Sequence, residues 1–106
     1  MTYRTYHVFF RNLSNELKVR IVAELKKKDL CVNNLREKLN VEQSKLSHAL
    51  ASLKSCGIVN SMVDGKKRVY SLNKKTVLPI LNIIDRHGKE FCKGNCEECQ
   101  KYGRVK

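Results

Sequence analysis

The stretch that decides the fold runs from residue 42 to residue 72 and reads EQSKLSHALASLKSCGIVNSMVDGKKRVYSL. Its first part carries apolar residues at the i, i+3, i+4, i+7 spacing of one buried helix stripe: Leu46, Ala49, Leu50 and Leu53. Gly57 is expected to end this helix, because glycine readily adopts the left-handed conformation that follows one. Two short strands are predicted next, separated by Asp64-Gly65, which is a strong hairpin signal.

The opposite face of the predicted helix is polar and basic. It carries side chains that can hydrogen-bond to base edges or phosphates, namely Gln43, Ser44, Lys45, Ser47 and His48. The hairpin has a cationic tip, Lys66, Lys67 and Arg68, which suits contact with phosphates or the minor groove. Helix-turn-helix domains bind DNA in this way: one helix enters a groove, and a second element contacts the backbone beside it. We therefore predict that these residues bind double-stranded DNA.

Some of these residues have simpler roles open to them. Ser44 can cap or solvate the helix start, and His48 can be an ordinary solvated side chain. The basic tip can also be a soluble hairpin end, because lysines keep proteins in solution.

Further segments complete the predicted architecture. The aromatic stretch 2–11 is interpreted as a short helix that packs on a partner, and Ser14 as the N-cap of a helix reaching about Lys28. A short helix from Val32 to Leu39 and a final helix from about Lys75 to Phe91 follow the same apolar spacing. The predicted fold is mainly α with a β-hairpin wing (α+β). It is a dimeric winged helix-turn-helix with about five helices and two strands.

Length and charge limit the function classes. The chain has 106 residues, a formal net charge of +12 and an isoelectric point near 9.7, which favours a polyanionic partner. We expect residues 1–91 to form one DNA-binding and dimerisation domain and residues 92–106 a Cys-rich basic tail. No apolar run approaches the roughly 18 residues of a membrane span, and no apolar signal core is seen, so we expect a cytoplasmic protein without a membrane partner.

The cysteines indicate a second kind of site. Five are present, an odd number that argues against a disulfide framework. Cys92, Cys96 and Cys99 form a C-x3-C-x2-C cluster, with His87 and Cys31 as candidates for a further ligand. Thiolates suit Zn or another thiophilic metal ion, with an iron–sulfur cluster as a less favoured alternative.

Other interpretations of the cysteines stay open. The cluster can act as a redox or persulfide sensor that needs no cofactor, or it can be a tail of reduced thiols without an effector. Cys31 can be a small apolar core residue, and His87 can be a plain interface histidine.

Several segments resemble, in the same order, those of the ArsR/SmtB family of metal- and redox-responsive repressors. These are Leu13–Asn15 with Lys18–Val22, Asp29–Leu35, Gln43–Leu50, Gly57–Val59 and Gly65–Tyr70. The string QSKLSHAL at Gln43–Leu50 is similar to the family's recognition-helix pattern QSxVSHHL. Departures occur at Glu16, Asn33 and Glu98, where the family patterns have proline, cysteine and histidine, so neither well-known family metal site is intact.

The resemblance implies a homodimer whose first and last helices form the interface. It also implies an inverted-repeat operator whose half-sites lie about one helical turn apart. The implied function is that of a transcriptional regulator, in the first place a repressor, released from DNA by a metal or a thiol reaction.

Two other function classes compete with this one. The high charge also suits an architectural protein that coats DNA with little sequence preference, and a winged helix can bind another protein instead. An enzyme is not expected, because the sequence shows no paired carboxylates, nucleophile–base set or phosphate-binding glycine loop.

Overall fold

The computed structural model describes residues 3–92 and residue 97, in two compact units of which the first ends at Asn73 and the second begins at Lys74. The first unit contains, in chain order, α1 (Tyr3–Leu13), α2 (Glu16–Lys27), β1 (Leu30–Cys31), α3 (Val32–Leu39), α4 (Gln43–Ser55), β2 (Val59–Asp64) and β3 (Lys67–Leu72). The second unit contains α5 (Val77–His87), followed by a π-helical turn at Gly88–Cys92. The described residues therefore contain the five helices and the hairpin expected from the sequence.

The sheet has one strand more than predicted. Its order is β1-β3-β2 and both pairings are antiparallel, with Leu30 opposite Tyr70 and Cys31 opposite Val69. Two residues are too few to show an alternating pattern, so β1 exists only through its pairing with β3. Its position brings the start of α3 to the edge of the hairpin.

The hairpin turn also lies one residue later than predicted. Asp64 pairs with Lys67, so the two loop residues are Gly65 and Lys66 rather than Asp64 and Gly65. Gly65 has a φ of 66°, which is the positive φ that a type II′ turn requires at its first loop position. Lys66 therefore lies at the very tip of the wing.

The core of the first unit is formed mainly by α2, α3, α4 and the base of the hairpin. Its largest fully buried side chains are Ile21, Leu25, Leu35, Leu46, Leu50, Leu53, Ile58 and Val59. The predicted apolar stripe of α4 is confirmed, since all four of its members are buried. Each such leucine contributes about 1.5–3 kcal/mol relative to an exposed one, so this stripe fixes which face of α4 meets solvent.

The start of α2 differs from the prediction in one residue. Asn15, not Ser14, is the N-cap, and its Oδ1 accepts a hydrogen bond from the Lys18 amide at 3.1 Å. The Ser14 hydroxyl instead donates to the Arg11 carbonyl at the end of α1, at 2.9 Å. Both side chains can cap a helix, and the tight connection between α1 and α2 uses each of them on a different helix.

Two helices present apolar side chains to solvent. On α1, Tyr3, Tyr6 and Phe10 are exposed, Tyr3 by 83%. On α5, Ile83 and Ile84 are exposed. No helix among the described residues is both long and apolar enough to cross a membrane.

Candidate nucleic-acid interface

The polar face of the first half of α4 points to solvent. All five side chains predicted to contact DNA from this helix are exposed: Gln43, Ser44, Lys45, Ser47 and His48. They alternate with the buried stripe, so burial of the leucines forces these groups outward. The exposed face offers amide, hydroxyl, imidazole and ammonium groups, the chemistry that can bind base edges and phosphates.

A cleft joins this helix to the wing. It has a volume of about 390 Å³, and Gln43 and Ser47 of α4 line it together with the predicted wing residues Lys66, Lys67 and Arg68. We call it the helix–wing cleft. Its remaining lining residues are Cys31, Val32, Asn33 and Tyr70. The structure therefore brings the two predicted parts of the interface together around one cationic depression.

Two further depressions flank α4. Gln43, Ser44, Ser47 and His48 line one of about 560 Å³, directly on the polar face of the helix. Lys45 and His48 also line a groove of about 670 Å³ that extends to Arg20 of α2. Each of the eight predicted DNA-binding residues thus lines at least one of these three depressions.

Local hydrogen bonds preset the first turn of α4. The Arg36 guanidinium donates to Oε1 of Gln43 at 3.1 Å, so the amide oxygen is engaged and the amide N–H groups remain to donate elsewhere. The Ser44 hydroxyl donates to the Glu42 carboxylate at 2.6 Å, which leaves its oxygen as an acceptor. Ser44 does not cap the helix, because Glu42 is the N-cap residue and makes no side-chain cap bond.

Arg36 was not identified from the sequence as a residue that contacts the predicted DNA-binding face. It lies on α3, seven residues before Gln43, and reaches it across the turn at Asn40. Asn40 has a φ of 50°, a left-handed conformation that ends α3 and lets the chain reverse toward α4. The sequence signal for this contact is a long polar side chain in the last turn of the helix that precedes α4.

Cys31 lies in the helix–wing cleft rather than in an isolated core position. It is the N-cap residue of α3, it is half-buried, and its thiol donates to Oδ1 of Asn34 at 2.7 Å. Its proposed role as a metal ligand stays a prediction.

The second unit contains the other described residues of the predicted metal site. Cys92 is half-buried at the end of the π-helical turn, and the His87 ring lies 4.9 Å from that of Phe91. Cys96 and Cys99 lie outside the described residues. Among residues 3–92 and 97, no three histidine, cysteine or acidic side chains are grouped to hold a metal ion. The metal site therefore stays a prediction from spacing and ligand chemistry.

Comparisons with known proteins place this geometry in a family. The model of the bacterial regulatory protein, arsR family, matches residues 15–61, which contain α2, α3 and α4. The arsenical resistance operon repressor of Staphylococcus aureus is 30% identical over 104 residues, 91% of this chain and 100% of the repressor. The cadmium resistance transcriptional regulatory protein CadC of Listeria innocua is 36% identical over 78 residues, 73% of this chain and 63% of CadC. The transcriptional activator HlyU of Vibrio cholerae is 28% identical over 88 residues, 83% of this chain and 79% of HlyU.

Solved structures support the same assignment. Rv0081 of Mycobacterium tuberculosis superposes with a TM-score of 0.77 at 26% identity, over 83% of this chain and 89% of Rv0081. A homodimeric winged helix-turn-helix DNA-binding domain from Mycobacterium bovis gives a TM-score of 0.76 over 83% of this chain and 82% of that domain, and its 18% identity shows the fold alone. The matched helix-turn-helix and the full-length similarity to the staphylococcal repressor show that this chain belongs to the ArsR family of DNA-binding transcriptional regulators, which are not enzymes.

Proposed function

We propose that this chain represses transcription by binding an inverted-repeat operator as a homodimer. Helix α4 enters the major groove with Gln43, Ser44, Lys45, Ser47 and His48, and the wing grips the backbone with Lys66, Lys67 and Arg68. The observation that carries the proposal is the helix–wing cleft, which joins the exposed polar face of α4 to the three cations of the wing. Because its target is genomic DNA, the protein acts in the cytoplasm.

The preset first turn of α4 favours particular bases. With its amide oxygen held by Arg36, Gln43 presents N–H donors, which match the O6 and N7 acceptors of guanine better than the donor–acceptor pair of adenine. The Ser44 oxygen, with its proton directed to Glu42, can accept from the amino group of cytosine. We infer that each half-site contains a G·C pair at the position that the first turn of α4 contacts.

The dimer is proposed from exposed apolar helices. Helix α1 presents Tyr3, Tyr6 and Phe10, and helix α5 presents Ile83 and Ile84, each on a surface that a second copy would cover. The homodimeric state of the M. bovis domain, which has the same fold, supports this assembly. Two recognition helices would then meet half-sites about 34–36 Å apart.

The effector is proposed to act on the cysteine segment, residues 92–99. Cys92, Cys96 and Cys99 would supply soft thiolate ligands, with His87 of the same unit or Cys31 as a fourth. Zinc or another thiophilic ion fits these donors; an iron–sulfur cluster or a cofactor-free redox reaction is the alternative. The names of two relatives refer to cadmium and arsenical resistance. In this proposal residues 1–91 bind DNA and dimerise, and residues 92–106 sense the effector.

Operator selection followed by competition tests the DNA-binding proposal. Binding sites are selected from a random DNA pool, and the affinity for the selected site is compared with that for bulk DNA. We expect an inverted repeat preferred by about a thousandfold or more at physiological salt. Tight binding without preference would favour the architectural protein. Loss of all salt-sensitive DNA binding would favour a protein-binding winged helix.

A further inference from the structure

A polar cluster joins three helices of the first unit and lines a depression of about 480 Å³. We call it the polar node, and it consists of Asn12 at the end of α1, Lys18 in α2 and Ser52 in α4. The Lys18 ammonium donates to Oδ1 of Asn12 at 2.7 Å and to Oγ of Ser52 at 2.9 Å. The Ser52 hydroxyl donates to Oδ1 of Asn12 at 3.2 Å, and the Asn12 amide donates to the Ser52 carbonyl at 3.5 Å. Every pair within the node is therefore hydrogen-bonded.

The node is partly shielded from water, so its hydrogen bonds contribute to the stability of this helix arrangement. Asn12 is 8% exposed and is the one polar residue that is buried within the described part of the chain. Lys18 and Ser52 are half-buried, and the hydrogen-bond partners of the Lys18 side chain are both neutral oxygens. A charged donor on neutral acceptors makes stronger bonds than a neutral donor, and a partner left unsatisfied here is costly.

The node also connects two surfaces with different proposed roles. Asn12 ends the helix that carries the exposed Tyr3, Tyr6 and Phe10, and Ser52 lies on the helix whose first turn faces DNA. Ser52 is nine residues after Gln43, which corresponds to roughly 13 Å along a helix axis. A small rotation of α4 at the node therefore produces a larger displacement at its DNA-reading end.

Apolar packing and hydrogen bonds restrain such a rotation in different ways. Leu50 and Leu53 bury the same part of α4, but the attraction between apolar surfaces has no preferred direction. Hydrogen bonds require specific distances and angles, so the node adds the directional restraint that the leucines lack.

We propose that Lys18 is a positioning residue that fixes the angle of α4 relative to α1 and thereby sets the half-site spacing that the dimer accepts. This inference rests on the proposed function, because it needs α1 at the dimer interface and α4 on DNA. Lys18 also lines the groove that contains Lys45 and His48, but its ammonium group is engaged by Asn12 and Ser52, so in this proposal it acts through them and not through a DNA contact. The polar node transmits the geometry of the dimer interface to the recognition helix.

The test compares binding to operators of different spacing. Lys18→Met removes the three N–H donors and keeps an unbranched side chain. Lys27→Met is the matched control, because it removes one charge from the same helix at an exposed side chain that pairs with Glu24. Affinities are measured for the selected operator and for versions with one base pair added or removed between the half-sites. Wild type and Lys27→Met should prefer the natural spacing, and Lys18→Met should lose about fivefold or more of that preference.

Two further readouts separate positioning from other roles. The salt dependence of binding should be the same in Lys18→Met and Lys27→Met, because a lost phosphate contact would lower the slope by about one. Ser52→Ala should relax the spacing preference as Lys18→Met does, whereas Ser52→Thr, which keeps the hydroxyl, should retain it.

The outcomes distinguish this inference from the proposed function. A wild-type preference for one spacing that persists in folded Lys18→Met, or in Ser52→Ala if the first variant does not fold, would overturn the inference alone. A reduced salt slope in Lys18→Met would also overturn it, since Lys18 would then be a DNA contact. A wild-type protein that prefers no inverted repeat would overturn the proposed function and the inference together.

Discussion

The α4–wing surface and the cysteine segment obtain their chemistry in different ways. On α4 the functional groups are exposed because Leu46, Leu50 and Leu53 on the other face are buried, so one pattern determines both the fold and the site. In the cysteine segment the three candidate ligands lie within eight residues of each other, and no apolar pattern accompanies them. An amphipathic pattern therefore predicts where a side chain points, whereas a ligand spacing predicts only which chemistry is available.

The largest expected effect is the loss of folding stability when a side chain of the buried stripe of α4 is shortened. Leu53→Ala removes a fully buried side chain and should destabilise the fold by about 2–5 kcal/mol. Cys92→Ser, at a half-buried position in the second unit, should change the free energy of unfolding by about 0.5 kcal/mol or less. Urea denaturation of both variants measures the difference, and equal losses would remove the contrast between the two regions.

The wing should carry the next largest effect. Replacing Lys67 and Arg68 together with alanine should weaken binding to operator and bulk DNA alike, by roughly 10–100-fold at low salt, because phosphate contacts are lost. The slope of log affinity against log salt should fall by about two. An alanine at Lys27 serves as the control, and an unchanged slope in the double variant would exclude the wing from the interface.

The cysteine segment should matter only when an effector is present. Cys92→Ser, Cys96→Ser and Cys99→Ser combined should leave operator affinity in the absence of effector unchanged. Effector-driven release, expected to weaken wild-type binding by about 5–150-fold, should be abolished. Binding is titrated with zinc, with cadmium and with an oxidant in turn. Release by one of these agents that survives in the triple variant would refute a sensor at these cysteines.

The smallest effect should come from Arg36. Arg36→Ala frees Oε1 of Gln43, so the variant should bind operators with adenine in place of guanine at one position per half-site better than wild type does. The expected change in base preference corresponds to about 1 kcal/mol. Affinities for the paired operators measure it, with Lys38→Ala on the same helix as control. An unchanged preference would show that Arg36 does not restrict Gln43.

Much of the fold could be predicted because it follows from burial. The helix stripes, the left-handed glycine at Gly57 and the hairpin are local signals, and the structure confirms them. The two-residue strand β1 could not be predicted, because only its pairing with Tyr70 and Val69 defines it. The sequence also could not decide that Asn15 and not Ser14 caps α2, since both residue types cap helices equally well.

The sequence predicts which residues form the candidate site, but not the hydrogen bonds that connect them to other helices. The exposed face of α4 and the wing cations follow from the sequence pattern. In the structure Gln43 and Ser47 of that face line one cleft together with the wing cations. The bond from Arg36 to Gln43 joins residues seven positions apart in the chain, and the bond from Lys18 to Ser52 joins residues 34 positions apart, each on a different helix. Such bonds depend on how the helices cross, and no periodicity in the sequence encodes that crossing.

Methylation interference on the selected operator tests the central claim most directly, because methyl groups at guanine N7 block the major groove. If the polar face of α4 reads that groove, methylation should prevent binding at guanines in two clusters about one helical turn apart. Gln43→Ala should become insensitive at one guanine in each cluster. Binding that tolerates N7 methylation at every guanine would contradict major-groove recognition by α4.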